Sequence, residues 1–433
     1  MHLFCCACFL GATAFTTPLA GSVASGRLPQ QRDTTRADSA ARARADSLRL
    51  VRELEALGRD TAAAPRALGT GQAGPTNPRF LPDISAIGEF IGDFTSGRST
   101  QESGRRLDIR EVELAVQAAV DPYFRADIIL GLSDEEGIAI EESYLTAIRL
   151  PLGLQGRLGR FHMPIGKQNT IHRAELLGAI EYPHVIQRFL GPEGGKGTGV
   201  SLSGILSPFG FYQEVQATVV DGLGEVDEDL LAEEESNAKA SGLGYSLRFR
   251  NYVDLAESSN LEISGSFATS RRAQPLVCLC PSIDGFNAVN ARQSIVGADV
   301  TLRWRPLQQG LYRSFLLQAE VLRQLNERSP AVGNLPQNIS YGGPTRGFSG
   351  AYLFARYQVG RRTFLGARGD WLEDPDADGE ALRAGSVYLQ FFPSEFSKFV
   401  LGFERLSPGV GQSVSRLLLQ GTFSVGPHRP HPF

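Results

Sequence analysis

The stretch "DPDADGE" sets Asp374, Asp376 and Asp378 at alternate positions ahead of Gly379. Carboxylates so spaced match the first half of a calcium-binding loop, whose oxygen ligands come from positions one, three and five. The bidentate glutamate due at position twelve is replaced by Gly385, so an acidic surface turn is the simpler reading. His428 and His431 offer two metal-ligand side chains, too few to close a site. His172 and His184 lie in the long segment "IGKQNTIHRAELLGAIEYPHVIQRFLGPEGGKG" and fit no metal-binding spacing. Cys278 and Cys280, in "VCLCP", would bridge only through a strained small ring, and a loop clip or two idle thiols is expected. A lipid hydrolase would need Ser, His and an acid on adjacent outward positions near a membrane rim. Only His162, near a strand end, comes close to such a place. The expectation is a non-enzyme with no cofactor.

The remaining charges recur on a two-residue period, so they belong to strands. In "DVTLRWRP", Asp299, Thr301, Arg303 and Arg305 alternate with Val300, Leu302 and Trp304. Ser246, Arg248 and Arg250 alternate with Tyr245, Leu247 and Phe249, and Glu111 and Glu113 with Val112 and Leu114. One face is apolar and the other carries full charges. A soluble sandwich has the same alternation, but its strands average about 5–6 residues. Here the runs reach about the 9–11 residues of a tilted bilayer-crossing strand.

Sixteen strands are predicted, near 83–95, 106–119, 122–133, 137–150, 154–164, 197–206, 209–220, 239–251, 259–269, 293–306, 314–325, 347–359, 362–372, 381–392, 395–405 and 412–425. Links after even strands are short, at Asp121, Pro151, Ser207, Gly360 and Pro393; most links after odd strands are longer. That sidedness is the pattern of an outer-membrane barrel. Strands cross a bilayer only when closure pairs every backbone group. The predicted fold is therefore all-β, a transmembrane antiparallel barrel of about sixteen strands. Aromatics near strand ends, among them Tyr123, Phe211, Tyr252, Trp304, Tyr357, Trp371 and Phe391, are candidates for interfacial girdles.

The flanking segments differ. Residues 1–24 have an apolar, small-residue core and read as a signal peptide that carries Cys5, Cys6 and Cys8 away. Residues 25–79 read as a short periplasmic helix, with Leu50, Leu54 and Leu57 at helical spacing, and a Pro/Gly linker. The barrel is assigned 80–426 and a tail 427–433. The formal net charge of −4 gives no basic footprint for nucleic acid. The acidic run Glu225 to Ser236 reads as a solvated external loop, or as a collector of divalent cations among lipopolysaccharide phosphates.

One segment resists this scheme. Residues 165–196 are too long for a turn and too apolar, with Leu176, Leu177, Ile180, Val185, Ile186, Phe189 and Leu190, for an external loop. Buried apolar area needs a partner surface. Insertion into the lumen is therefore favoured over a cap on the barrel mouth. The insert would then present Lys167, Arg173, Glu175, Glu181 and Arg188 to the channel. The expected constriction combines Lys167, Arg173 and Glu175 with Arg157, Arg248, Arg250, Arg303, Arg305, Glu320, Arg356 and Arg368 of the wall.

"LQGRLGRFHMPIGKQN", at the start of this segment, resembles the corresponding stretch of the phosphate-selective porin O and P type barrels and related porin-like outer-membrane proteins. "DPYFRADIILGLSDEEGIAIEESYLT" and "GTGVSLSGILS" also look like that group. The resemblance implies a passive outer-membrane pore, trimeric, narrowed by its long loop. Its partners would be membrane lipid, lipopolysaccharide and small hydrophilic or ionic solutes. The lumen is predicted to carry both signs, so phosphate is not implied by charge. The alternatives are a non-conducting scaffold or adhesin and, behind both, an outer-membrane lipid hydrolase.

Overall fold

A pleated strand needs a hydrogen-bonding partner along both edges, and a chain of alternating strands can supply this by closing on itself. The computed structural model describes residues 82–101, 103–134, 137–222, 243–274, 289–327, 331–332, 340–341, 346–373, 381–409 and 411–426, all within the compact unit Pro75–Phe433. Its strands are β1 (Asp83–Asp93), β2 (Leu107–Ala119), β3 (Phe124–Ser133), β4 (Gly137–Ala147), β5 (Gln155–His162), β6 (Lys196–Leu206), β7 (Tyr212–Val220), β8 (Gly244–Ala256) and β9 (Ser259–Gln274). They continue with β10 (Val289–Trp304), β11 (Phe315–Glu327), β14 (Arg346–Gln358), β15 (Thr363–Glu373), β16 (Ala381–Ser394), β17 (Ser397–Ser407) and β18 (Val414–Val425). The two-residue strands β12 (Ala331–Val332) and β13 (Ser340–Tyr341) pair with each other between β11 and β14. The other sixteen form one closed antiparallel barrel, in which each strand pairs with its neighbours in chain order. Closure is made by β1 against β18, from Ala86 opposite Val425 to Asp93 opposite Leu418.

The predicted barrel and its strand number are thus present, with local shifts of boundary. β8 runs on to Ala256, leaving a two-residue turn before β9. β9 and β10 extend beyond the predicted limits, paired as far as Gln274 opposite Val289. Polar residues such as Ser270 and Gln293 blur the apolar alternation there, but the backbone ladder does not depend on it. The signal peptide, the predicted helix, the acidic run at 225–236, Cys278, Cys280, Asp374, Asp376, Asp378, His428 and His431 lie outside the described residues.

The two faces separate as a bilayer requires. Tyr245, Leu247 and Phe249 of β8, Val387, Leu389 and Phe391 of β16, and Phe399, Leu401 and Phe403 of β17 are exposed on the outer surface. Between them Ser246, Arg248, Ser386, Gln390, Lys398 and Glu404 are buried on the inner one. Tyr123, Tyr357, Trp371 and Phe391 of the predicted girdles are exposed. Phe211 and Tyr252 instead line a lumen cavity.

Two features break the alternation. In the β1–β2 ladder Glu89 faces Glu111 and Phe90 faces Ile109, so Arg110 is an extra residue. In the β3–β4 ladder Ile129 faces Glu142 and Leu130 faces Ile140, so Glu141 is extra. Each bulge turns two consecutive charged side chains, Arg110–Glu111 and Glu141–Glu142, toward the lumen. The second feature is a set of inward apolar residues, including Ile91, Ile295, Leu316, Leu322, Phe348, Phe354, Leu372, Val400 and Leu418, all buried. Beneath them lies the segment between β5 and β6.

Candidate functional site

Residues 163–195 fold inside the barrel. Met163, Ile165, Ile171, Leu176, Ile180, Tyr182, Val185, Ile186, Phe189 and Leu190 are nearly or wholly inaccessible and join the inward apolar wall residues in one core. Each buried side chain of this kind contributes about 1.5–3 kcal/mol. That contribution offsets the entropy of ordering a long connection. The wall supplies apolar seats where a purely water-filled pore would be polar.

The segment has little regular structure of its own, so the wall completes its hydrogen bonds. Its one α-helix, α1 (His184–Leu190), has no side-chain cap from its own sequence. The His184 N–H donates instead to Asp370 Oδ1 of β15 at 3.1 Å. Phe189 meets Phe348 of β14 edge-on, ring centroids 4.8 Å apart. Gly350 admits the helix: a Cβ there would lie 2.6 Å from Val185 Cγ2. At the other end Gly166 takes φ +63°, a turn that L side chains disfavour. Its N–H donates to Ser266 Oγ at 3.2 Å. Asn169, fully buried, ties the two ends of the segment together. Its Nδ2 donates to the carbonyls of Met163 (2.8 Å) and Gly195 (3.0 Å), and its Oδ1 accepts the Gly195 N–H at 2.6 Å.

Ion pairs hold the segment around the circumference. Lys167 Nζ lies 2.7 Å from Glu262 of β9, and the Lys167 N–H donates to Glu320 Oε2 of β11 at 3.1 Å. Burial depresses the Lys167 pKa, opposed by the Glu262 carboxylate. On the facing wall Arg173 lies 3.6 Å from Glu111, 3.8 Å from Glu89 and 3.9 Å from Glu193. Burial works against the Arg173 charge, but those carboxylates together with Glu181 raise its pKa further. His172 sits between two wall glutamates, 3.4 Å from Glu113 and 3.1 Å from Glu142. Burial alone would lower its pKa; the two carboxylates outweigh burial and hold it well above the ordinary value. Arg110 pairs with Glu181 at 3.1 Å. Arg368 donates to the Glu181 carbonyl at 2.7 Å, Arg356 to the Leu177 carbonyl at 2.6 Å, and Lys398 to the Ala174 carbonyl at 2.7 Å.

The eleven side chains expected at a constriction therefore do not meet in one ring. Lys167, Arg303 and Glu262 form one group, with Arg303 3.5 Å from Glu262. Arg248 pairs with Asp299 at 3.3 Å, and Glu320 accepts from Tyr352 Oη at 3.1 Å. Arg173, on the segment, reaches Glu89 and Glu111 of the opposite wall. Arg368 is sealed against Asp370 at 2.7 Å. Arg157 stacks over Tyr144 at 5.0 Å and shares a cavity of about 310 Å³ with Glu175, Arg248 and Arg250. Arg305 falls beyond the end of β10, where its Nε donates to the Gly310 carbonyl at 3.1 Å. Arg303, Arg305 and Arg356 line a cavity of about 480 Å³ with Arg361, Tyr252, Trp304 and Phe364, and no carboxylate is among its lining residues. A smaller cavity of about 130 Å³, lined by Arg110, Glu111, Glu141, Arg173 and Glu193, opens near the long-loop end of β1 to β4.

Strict alternation missed Glu89, Arg110, Glu141, Glu142, His162 and His172. The bulges displace Arg110 and Glu141 from their expected faces, and the histidines had no partner within sequence range. The doublet "EE" at 141–142 inside a strand is the signal that was there to be read. His162 is turned inward and buried, away from the outward rim position a lipid hydrolase needs.

No protein-family model matches the chain. An uncharacterized protein of Aquifex aeolicus (strain VF5) is 26% identical over 416 residues, spanning 84% of this chain and 83% of that protein. Among solved structures, the loop L8 deletion mutant of OmpT, an outer membrane protein of Vibrio cholerae, is similar with a TM-score of 0.51. It is 9% identical, and the match covers 80% of this chain and 100% of that one. The high-pH structure of Pseudomonas putida OprB is similar with a TM-score of 0.50 at 10% identity, covering 80% of this chain and 94% of that one. What the chain shares with these structures is the fold, a closed β-barrel.

Proposed function

We propose that this protein is an outer-membrane channel for small hydrophilic or ionic solutes, with its lumen narrowed by residues 163–195. The observation that carries the reading is the inversion of polarity around the closed wall: apolar side chains outside, ionised ones inside, and cavities on the inner face. A scaffold has no need of a charged interior whose desolvation must be offset by ion pairs.

The charges support a finer reading. Among the described residues most inward cations are paired, and these residues do not form the one-signed ladder a dedicated phosphate pore would need. The resemblance to the phosphate-selective O and P type therefore supports the pore architecture more than the solute. Around Arg303, Arg305 and Arg356 the lining is basic without carboxylates, which favours anions at that mouth. The test is single-channel current in planar bilayers, with the reversal potential in a salt gradient. Discrete conductance with an anion-selective reversal potential is expected. Absence of conductance would overturn the channel, and cation selectivity would overturn the assignment of that mouth.

A further inference from the structure

The wall and the lumen segment meet at a group of side chains that conduction does not require. The β4 bulge turns Glu141 and Glu142 inward together, and both are buried. β5 ends on His162, and the segment brings His172 beside it, ring centroids 4.8 Å apart at 68°. One ligand atom each from Glu141, His162 and His172 lies within 4.8 Å of the others. His162 is 7% exposed, yet neither ring nitrogen makes a hydrogen bond. A buried polar atom left unpaired loses its hydration without recompense, so two such atoms on one imidazole call for a ligand.

We infer that Glu141, His162 and His172 bind a zinc-class divalent cation that fastens the lumen segment to the barrel wall. Two imidazoles and a carboxylate suit zinc and neighbouring transition metals; calcium and magnesium prefer all-oxygen sites. Bonds of about 2.0–2.2 Å to one ion need only a small closing of the three groups. The ion displaces the proton of His172 Nε2, which now lies 3.1 Å from Glu142, while Glu113, 3.4 Å from Nδ1, is the orienting partner that metal-bound imidazoles keep. Lys196 now contacts Glu141, and it retains a second carboxylate, Glu193 at 3.1 Å, when Glu141 turns to the ion. An ion reaches the group through the cavity of about 310 Å³ that His162, His172 and Glu142 line with Pro164 and Thr170. Glu141 and His162 belong to the wall and His172 to the segment, so the ion joins two elements otherwise held by packing and charge.

Metal binding is measured on the purified full-length protein in detergent, stripped with a chelator and dialysed against Zn²⁺ or Co²⁺. One equivalent per chain is expected, with a Co²⁺ visible spectrum characteristic of nitrogen and oxygen ligands. His162→Gln, His172→Gln and Glu141→Gln should each weaken binding at least about tenfold. Asp254→Asn, an exposed carboxylate outside the group, should not change it. The His162 ring makes no hydrogen bond, and its backbone N–H bond to Glu142 survives substitution, so His162→Gln keeps the segment seated; its resistance to trypsin in the absence of metal checks this. Failure to bind a stoichiometric ion, or binding unchanged by His162→Gln in the seated protein, overturns the site. None of these readouts depends on conductance.

Discussion

Phe189→Ala tests whether the lumen segment is held by its own packing. The Phe189 ring is fully inaccessible and meets Phe348 edge-on at 4.8 Å. Removing it deletes the transfer free energy and leaves a cavity, a loss of about 3–5 kcal/mol in well-packed interiors. The edge-on pairing accounts for about 0.5–1.5 kcal/mol of that. The strand ladders do not involve Phe189, so the loss falls on docking of the segment and leaves barrel closure unaffected. A loss of about 3 kcal/mol raises the undocked population on the order of a hundredfold. Trypsin is too large to work within a closed lumen, so cleavage after Arg188 reports that population. Cleavage should accelerate by about the same factor, and single-channel records should gain a larger, more frequent open level. Phe189→Leu should lie between the two. An unchanged cleavage rate and conductance would show that packing does not hold the segment. A fall in barrel melting temperature matching the full loss would show that segment and wall unfold as one unit. Either result refutes the reasoning.

Gly166→Ala places a side chain at φ +63° with its Cβ 1.6 Å from Glu320 Oε1, and should cost about 2–4 kcal/mol of docking, read as in the Phe189 assay. Asn169→Ala leaves the buried Gly195 N–H without its acceptor and should weaken docking by at least about 2 kcal/mol, seen as faster hydrogen exchange at the Gly195 amide. The Glu193 carboxyl is pushed up by burial, but Lys196 and Arg173 outweigh this and hold it below its ordinary value of 4.5. Its contribution is therefore fully present above the unfolded-state pKa and lost as pH falls through the lowered native one. The melting-temperature advantage of wild type over Glu193→Gln should be constant near neutrality and disappear in acid; an advantage that grows on acidification would refute the assignment.

The strands were legible because their cause is local. Alternation in "DVTLRWRP" or "GSVYLQFF" reports which face each residue takes, and the alternating link lengths report which rim each turn occupies. The length and apolar content of 165–196 likewise sent it to a partner surface. Register and closure decided the rest. The bulges at Arg110 and Glu141 exist only relative to neighbouring strands, and they alone turn Glu111 with Arg110 and Glu142 with Glu141 to one side. The inward seats at Leu322, Phe348 and Val400 have their reason only in the segment that packs on them. Charge pairing was hidden for the same reason: His172 meets Glu113 and Glu142 across the lumen, and Lys167 meets a strand about a hundred residues away. A two-residue period fixes the face of each side chain. Only the closed ladder fixes its height and its neighbours, and electrostatic and packing energies depend on those distances.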